Sequence, residues 1–239
     1  FVPPMEPPIF NVTWKYDSDE ECILLWYLTN HIRENNQRPI IRLNLPYVPN
    51  ARMDRVKNVD EVFTLKWFAK FINALGFDRV FVSDPHSNVS TALFDRVCVI
   101  DAQSNIQRVL DKLNDKNVLL CYPDEGAAKR YSSQAGREYV FCIKHRDWRT
   151  GKIERLELTS PEKVTNRNVL IVDDICSRGG TFTFTAKALK EAGANEVYLY
   201  VTHCENTIHS GTVLTDGLIS HVFTTDSIYR GNSEMISLI

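Results

Sequence analysis

The sequence predicts an α/β fold in which parallel sheets are flanked by helices and divided between two domains. Short runs of apolar, β-branched residues alternate with amphipathic helical stretches along the chain, and the loops between them are short. This alternation is typical of βαβ units, which build parallel sheets. The pattern divides near residue 100, so we expect one domain over residues 1–100 and a second over 101–239.

The first domain is predicted to begin with an alternating strand over 10–16. The segment Ser18-Asp-Glu-Glu21 has the pattern of a capping box, which predicts a helix that runs to about Glu34. A strand over 40–45, a helix over 61–75 and a strand over 79–83 follow. In open parallel sheets a ligand binds beyond the carboxyl ends of the strands, so the loops after these strands are candidate sites.

The second series continues the same alternation. Its predicted strands cover 97–100, 118–121, 139–143, 169–172, 197–202 and 221–224, and its predicted helices cover 106–113, 127–135 and 181–192. The stretch 144–152 is polar and is predicted to be a loop.

Composition limits the possible partners. The chain has 239 residues, 44% of them hydrophobic, and a net charge of −2. This charge predicts neither a nucleic-acid partner nor an anionic membrane partner. No apolar run reaches the roughly 18 residues that a membrane helix needs. The six cysteines are scattered, which predicts neither a zinc site nor a disulfide framework. We therefore expect a cytoplasmic protein.

The most informative segment is 168–181, where a buried strand, two acids and a glycine loop lead into a helix. Gly179 and Gly180 would let backbone N–H groups approach an anion at the positive end of that helix. Asp173 and Asp174 could accept hydrogen bonds from sugar hydroxyls, or hold Mg²⁺ through water. The segment predicts a ribose-phosphate site, and the alternative is an ordinary turn whose aspartates cap the helix. A Walker loop is excluded, because its lysine is missing.

Two loops of the first domain carry further candidates. The loop after strand 40–45 sets Arg52 and Arg55 around Asp54, which is a candidate phosphate contact or else a solvated ion pair. The loop after strand 79–83 contains Asp84 and His86. These two side chains could reach one metal ion, although a histidine in a turn often serves only as a hydrogen-bonding residue.

Two loops of the second domain complete the set. Asp124 follows strand 118–121 and could bind Mg²⁺ or a sugar hydroxyl, or only cap the next helix. The basic loop 144–152 is either a hairpin tip or a cover for transferring phosphates, with Lys144 and Arg146 as its main cations. Acids for Mg²⁺, cations for phosphoryl charge and a sugar-phosphate loop together predict a phosphoryl- or pyrophosphoryl-transfer site.

Five segments, at 45–55, 83–87, 123–130, 144–146 and 173–181, occur in an order and spacing that resemble those of the ribose-phosphate diphosphokinases, also called phosphoribosyl pyrophosphate synthetases. The resemblance covers about residues 38–225. It implies two phosphoribosyltransferase-like domains, with ATP bound partly by the first domain and the sugar phosphate by the second. It also implies a homo-oligomer.

The resemblance assigns roles residue by residue. Arg52 and Asp54 would lie on the ATP-binding side, and His86 and Asp124 would bind Mg²⁺. Lys144 and Arg146 would stabilise the transferring group. The acceptor sugar would be held by acids and by the glycine loop, namely Asp124, Asp173, Asp174, Ser177, Arg178, Gly179, Gly180 and Thr181.

Three departures from the family pattern affect the reading. Met53 stands where the family has glutamine beside the ATP-binding arginine. Ser177-Arg178 stands where the family has Asp-Thr in its 5′-phosphate loop, so a negative charge is replaced by a bidentate cation. The family's first strands are also not recognisable, so we expect either that upstream residues are missing or that this is a compact, phage-like variant.

The expected activity is Mg²⁺-dependent transfer of pyrophosphate from ATP to the anomeric hydroxyl of ribose 5-phosphate, with release of AMP. ADP-ribose is the alternative acceptor, since Arg178 suits a 5′-diphosphate, and this acceptor would connect the protein with NAD metabolism. Two other classes stay open: a phosphoribosyltransferase, and an inactive regulatory homologue. Arg52 and His86 argue against the first, and retention of the predicted site residues argues against the second.

Overall fold

A computed structural model describes residues 6–146 and 153–239. The chain divides into two compact units, of which the first ends at Asp101 and the second begins at Ala102. In the described residues the first unit contains a four-stranded sheet and the second a seven-stranded sheet. Helices connect most of the strands, so the α/β fold class predicted from the sequence is confirmed.

All neighbouring strands of the first sheet are parallel. In the order in which they pair, they are β1 (Ile9–Thr13), β2 (Ile40–Leu45), β3 (Arg79–Ser83) and β4 (Val97–Ile100). The helices of this unit are α1 (Glu21–Asn35), α2 (Thr64–Ala74) and the short α3 (Asn88–Leu93). Alternate side chains of β2 and β3 are buried, and they form one core with the buried stripes of α1 and α2.

The predicted capping box before α1 is wrong. The helix begins at Glu21, and no side chain caps it. The carboxylate of Glu21 is engaged elsewhere, because its Oε2 accepts hydrogen bonds from the indole N–H of Trp14 at 2.8 Å and from the backbone N–H of Asp17 at 2.9 Å. These two bonds secure the segment between β1 and α1. The acidic residue that was predicted to complete the cap therefore fixes the approach to the helix instead.

The second sheet has the strand order β11-β10-β9-β8-β5-β6-β7. Its strands are β5 (Leu119–Tyr122), β6 (Tyr139–Arg146), β7 (Ile153–Leu158), β8 (Val169–Cys176), β9 (Val197–Cys204), β10 (His221–Thr224) and β11 (Ile236–Leu238), and its helices are α4 (Gln103–Leu113), α5 (Glu125–Ala135) and α6 (Gly180–Glu191). Neighbouring strands are parallel except for β6 and β7, which are antiparallel.

The central strand β8 is buried on both faces, as its continuous apolar run predicts. Val169 and Ile171 belong to one apolar core, whereas Leu170 and Val172 belong to the core on the opposite face of the sheet. The apolar part of β8 is therefore held firmly, so the two acids toward the end of the strand and the glycine loop after it start from a fixed position.

The β6–β7 hairpin differs from the prediction. Strand β6 was expected to end at residue 143, but it continues to Arg146 and pairs with β7. Polar residues in this stretch indicated a loop, yet a strand near a sheet edge tolerates them. Residues 147–152, the tip of the predicted basic loop, lie outside the described residues. Among the described helices, none is long and apolar enough to cross a membrane.

Candidate active site

The candidate site of the second unit lies at the carboxyl edge of its sheet. Strands β5 and β8 are adjacent and parallel, with Cys121 opposite Ile171. The loop that contains Asp124 and the segment that contains Asp173 and Asp174 therefore leave the sheet at the same edge. The sequence prediction that these acids lie near one another depends on this parallel pairing.

Asp124 is the N-cap of α5, as one of the two sequence interpretations held. Its Oδ1 accepts a hydrogen bond from the backbone N–H of Ala127 at 2.9 Å. This bond fixes the carboxylate at the start of the helix. A second role toward metal or ribose stays a prediction.

Asp173 carries a carboxyl whose pKa is shifted by its surroundings. Burial raises the pKa of Asp173 well above its usual value, and the nearby charges of Asp174 and then Asp124 raise it further. Its Oδ1 accepts a hydrogen bond from the backbone N–H of Asp174 at 3.0 Å, which favours the charged form but does not offset those effects. The carboxyls of Asp124, Asp173 and Asp174, which we call the acid cluster, thus interact unfavourably when all are charged.

Asp174 is more deeply buried, at 2% exposure, and it pairs with a cation that the sequence interpretation did not single out. The guanidinium of Arg130, on α5, lies 3.0 Å from Asp174 Oδ1. Arg130 also stacks against Tyr131, with the guanidinium carbon 5.3 Å from the ring centroid. The ion pair joins α5 to the end of β8. The predicted role of Asp174 in acceptor binding stays a prediction.

The donor set of the acid cluster fits Mg²⁺, which prefers carboxylate oxygens and keeps several water ligands. A cation would also relieve the repulsion that raises the pKa of Asp173. In the described part of the chain, no three His, Cys, Asp or Glu side chains form a group that could hold a metal ion directly. The acid cluster therefore fits a Mg²⁺ ion that is held by one or two carboxylates and otherwise by water.

The glycine loop lies between β8 and α6 and comprises residues 177–181, which we call the phosphate loop. Gly179 has a φ of +78°, in the left-handed region, and precedes the first helical residue, Gly180. A Cβ at Gly180 would meet nothing within 4 Å, so this side of the loop is open. Arg178 and Gly180 are exposed, and Ser177 and Thr181 are half-buried. The N–H groups of Phe182 and Thr183 donate to Gly179 O, and those of Gly180 and Thr181 precede these bonds at the start of the helix, which suits an anion.

The predicted residues of the first unit lie on the loops after β2 and β3. Arg52 is exposed, and Asp54 is half-buried and pairs with the exposed Arg55 at 3.5 Å, as the ion-pair alternative held. His86 is half-buried. Asp84 before it has a φ of +41°, and its backbone N–H donates to Ile100 O at 2.8 Å. This strained residue fixes the path of the chain toward His86.

Lys144 and Arg146 lie in β6 by their backbone, opposite Leu156 and Ile153 of β7, and the register shifts between His145 and Arg146. Their side chains lie outside the described part of the structure. Their predicted roles therefore rest on the sequence alone.

Comparison with known proteins agrees with this description. A family model described as the phosphoribosyl transferase domain matches residues 98–233. The chain is 29% identical to the ribose-phosphate pyrophosphokinase of Rhizobium meliloti over 220 residues, which are 89% of this chain and 69% of that protein. It is also 29% identical to that of Campylobacter jejuni over 215 residues, 88% of this chain and 68% of that protein.

The crystal structure of phosphoribosylpyrophosphate synthetase from Mycobacterium smegmatis matches with a TM-score of 0.78 at 19% identity, over 98% of this chain and 78% of that chain. This match shows a shared fold. The chain spans about two thirds of the length of the curated relatives named here. The family resemblance inferred from the five motifs is confirmed.

Proposed function

We propose, from the premise that this chain belongs to the phosphoribosyl transferase domain family, that it transfers pyrophosphate from ATP to the anomeric hydroxyl of a phosphorylated ribose. One observation carries the proposal: Asp173 and Asp174 lie toward the end of β8, and the phosphate loop follows the same strand at the carboxyl edge of the second sheet. The names of the curated relatives, ribose-phosphate pyrophosphokinases, supply the reaction class.

Different groups of the second unit would bind different parts of the acceptor. The N–H groups at the start of α6 would bind the 5′-phosphate, and Asp173 would accept hydrogen bonds from the ribose hydroxyls. The anomeric oxygen would then attack the β phosphorus of ATP, the bond from that phosphorus to the α-phosphate oxygen would break, and AMP would leave. Lys144 and Arg146 would stabilise the charge of the transferring group.

Arg52 and Asp54 would bind ATP in the first unit. His86 and Asp124 are the residues proposed to hold Mg²⁺. When bound, Mg²⁺ would neutralise phosphate charge and orient the triphosphate.

Ribose 5-phosphate is the acceptor we place first, and ADP-ribose is the second candidate. The observation that favours ADP-ribose is Arg178, whose side chain is exposed on the phosphate loop. An exposed guanidinium beside a bound phosphate can make a bidentate contact with a second phosphate. A phosphate monoester does not need this contact, because loop amides and hydroxyls satisfy it.

Product analysis tests the reaction class. The protein is incubated with Mg-ATP and either ribose 5-phosphate or ADP-ribose, and the products are identified by mass spectrometry. We expect AMP in step with an acceptor that is heavier by one pyrophosphoryl group. ADP with a singly phosphorylated acceptor would contradict the proposal. Reaction of phosphoribosyl pyrophosphate with a nucleobase, without use of ATP, would instead identify a phosphoribosyltransferase.

A loop variant tests the choice of acceptor. The double substitution Ser177→Asp with Arg178→Thr restores the family's residues. If Arg178 binds a second phosphate, the variant should lower kcat/KM for ADP-ribose relative to ribose 5-phosphate by about tenfold or more, since one charge-assisted hydrogen bond contributes roughly 1.5–3 kcal/mol. An unchanged ratio would remove the support for ADP-ribose.

The expected homo-oligomer has a candidate surface on α1. Ile23, Leu24, Trp26, Tyr27 and Leu28 are each between 45% and 64% exposed, while the opposite stripe of this helix is buried in the core. A patch of this kind, about 500 Å² per copy, is near the upper end for a monomer. Two such faces would together bury about 1,000 Å², the area at which specific interfaces begin. We place a second copy of this chain there.

A further inference from the structure

The segment that follows β9, from Glu205 to Asp216, packs against the phosphate loop on the side away from solvent. We propose that this segment, which we call the buttress, is a positioning element that holds the phosphate loop ready for the acceptor's phosphate. The inference rests on the proposed function for its substrate, but its structural basis consists of contacts within the second unit alone. Four contacts join the buttress to the loop and to the two elements on either side of it.

The first contact fixes the beginning of the phosphate loop. Cys176, the last residue of β8, lies opposite Cys204, the last residue of β9. The backbone N–H of Glu205 donates to Cys176 O at 2.8 Å. The buttress therefore leaves its strand while still bound to the residue from which the phosphate loop starts.

The second contact is a close approach between two backbones. A Cβ on Gly211 would overlap the carbonyl oxygen of Arg178 and would lie 2.8 Å from the carbonyl carbon. Gly211 has a φ of −99°, which other residues adopt readily. Glycine is thus needed here for space and not for backbone freedom. The backbone of the buttress therefore limits the position of the Arg178 carbonyl, while Arg178 itself is exposed to solvent.

The third contact lies one residue further along the phosphate loop and two residues further along the buttress. A Cβ on Gly179 would overlap Val213 Cγ2 and would lie 3.2 Å from Val213 Cβ. Val213 is fully buried and belongs to the core of the unit. Gly179 is therefore constrained twice, by its left-handed φ and by a side chain packed directly against it. The turn into α6 rests on the apolar core through this valine.

The fourth contact holds the first turn of α6. The hydroxyl of Thr183 lies 3.0 Å from that of Thr212 and donates to Asp216 Oδ2 at 3.0 Å. Asp216 is fixed in turn, because its Oδ1 accepts a hydrogen bond from the backbone N–H of Leu218 at 2.9 Å. The N–H groups that would face the phosphate thus belong to a helix start that is secured from behind.

These contacts mean that phosphate affinity should depend on residues that never touch the substrate. A loop held in its bound conformation loses little entropy when the ligand arrives, so part of the binding free energy comes from preorganisation. A displacement of about 1 Å can cost about a hundredfold in a binding or catalytic site. The buttress should therefore affect the acceptor's KM, and not the affinity for ATP.

Two glycine variants separate this role from general stability. At Gly211 alanine can adopt the backbone conformation readily, but its Cβ would press against the carbonyl of Arg178. Gly136→Ala, at the end of α5, strains a residue with a φ of +59°, and its Cβ would meet nothing within 4 Å. We expect Gly211→Ala to raise the KM for ribose 5-phosphate by about ten- to a hundredfold. The KM for ATP should stay within about twofold. Gly136→Ala should leave both KM values as in the wild type.

Hydrogen–deuterium exchange supplies a readout that does not need catalysis. The backbone amides of residues 177–181 should exchange faster in Gly211→Ala than in the wild type or in Gly136→Ala, while the core strands keep their protection. Should Gly211→Ala fail to fold, Thr212→Val removes one hydroxyl contact at an exposed position and should give a smaller change in the same direction.

The outcomes separate the two proposals. Unchanged exchange of the loop in the folded variants, or equal effects of Gly211→Ala and Gly136→Ala, would overturn the proposal that the buttress positions the loop. The loop could exchange faster in Gly211→Ala while the wild type neither binds ribose 5-phosphate nor uses it. This result would support the positioning role of the buttress and overturn the proposed function. Faster exchange together with a rise in KM confined to the acceptor is the expected result.

Discussion

Arg130 neutralises the acidic end of β8. Its guanidinium pairs with Asp174, whose side chain has only 3% exposure, and removing one partner leaves a buried charge. Lys129, the next residue toward the start of α5, makes an ion pair with Glu125 in which both side chains are largely exposed. The two neighbouring cations of one helix therefore differ in what they should contribute.

The first prediction compares these cations. Arg130→Met should lower the free energy of unfolding by about 3 kcal/mol, because it leaves the Asp174 carboxyl buried without this partner. Lys129→Met should change it by less than about 0.5 kcal/mol, as is usual for an exposed pair one helical turn apart. Chemical denaturation of both variants measures the difference. Equal losses would mean that the buried pair has no special role.

The second prediction concerns Asp173. We expect its charged carboxylate to destabilise the folded protein, although the same carboxylate is proposed to bind the acceptor. Because its pKa is raised in the folded state, its neutral form stabilises the fold below the usual aspartate pKa of about 4, and that stability is lost as the pH rises through the raised folded value. In metal-free buffer, Asp173→Asn should therefore raise the Tm at pH 7 by a few degrees and leave it unchanged near pH 4.

Thermal melts between pH 4 and pH 8 provide the measurement for Asp173→Asn. Asp95→Asn, at an exposed position in the first unit, makes the same chemical change at a residue that does not belong to the acid cluster and should follow the wild type. A variant that is less stable than the wild type at pH 7 would contradict the assigned repulsion.

Sequence could identify the residues that act through their own chemistry. Asp124, Asp173 and the two glycines of the phosphate loop could be singled out as candidates, because they stand at the carboxyl ends of apolar strands, where open parallel sheets bind their ligands. Arg130 and Gly211 were not recognised as parts of the site. Their roles come from contacts with Asp174 and with Arg178, residues distant in the chain, and nothing in local spacing indicates such contacts.

At the scale of elements, the parallel strands were easier to predict than the β6–β7 hairpin. Buried strands such as β8 carry continuous apolar runs, which few other structures require. The end of β6 and the short β11 lie at or near the sheet's edges, where one face and one set of hydrogen bonds can meet water, so their sequences carry a weaker signal. The helix starts were also shifted, because a side chain such as Glu21 can serve a tertiary contact instead of a cap.

The third prediction belongs to the β6–β7 hairpin. Lys144→Ala and Arg146→Ala should each lower kcat by about a hundred- to a thousandfold, the cost of removing one donor that stabilises transition-state charge, with a smaller effect on substrate binding. Arg137→Ala removes a cation near the opposite end of β6 and should keep kcat within about twofold. Steady-state kinetics on the three variants measures kcat. Near-normal turnover in both Lys144→Ala and Arg146→Ala would mean that the hairpin has only a structural role.

At the scale of the whole molecule, the two units differ in how the faces of their parallel sheets are covered. The second sheet has an apolar core on each face. In the described part of the first unit, one apolar core lies between the sheet and its helices, and α1 adds a further apolar surface that stays exposed. The first half of α1, residues 22–28, is apolar on all sides, and a helical stretch of this kind normally lies inside a larger structure. This contrast is the physical reason to expect assembly through the first unit.

The last prediction tests that assembly. Leu24 and Tyr27 lie one turn apart on the exposed side of α1, so Leu24→Glu with Tyr27→Glu would place two charges from each copy in an apolar interface. The wild type should be a dimer or larger by sedimentation or light scattering, and the double variant should be a folded monomer. Val59→Glu, at a residue that is 97% exposed outside the helices, should keep the wild-type mass. A monomeric wild type, or a double variant of unchanged mass, would mean that α1 is not the surface where copies meet.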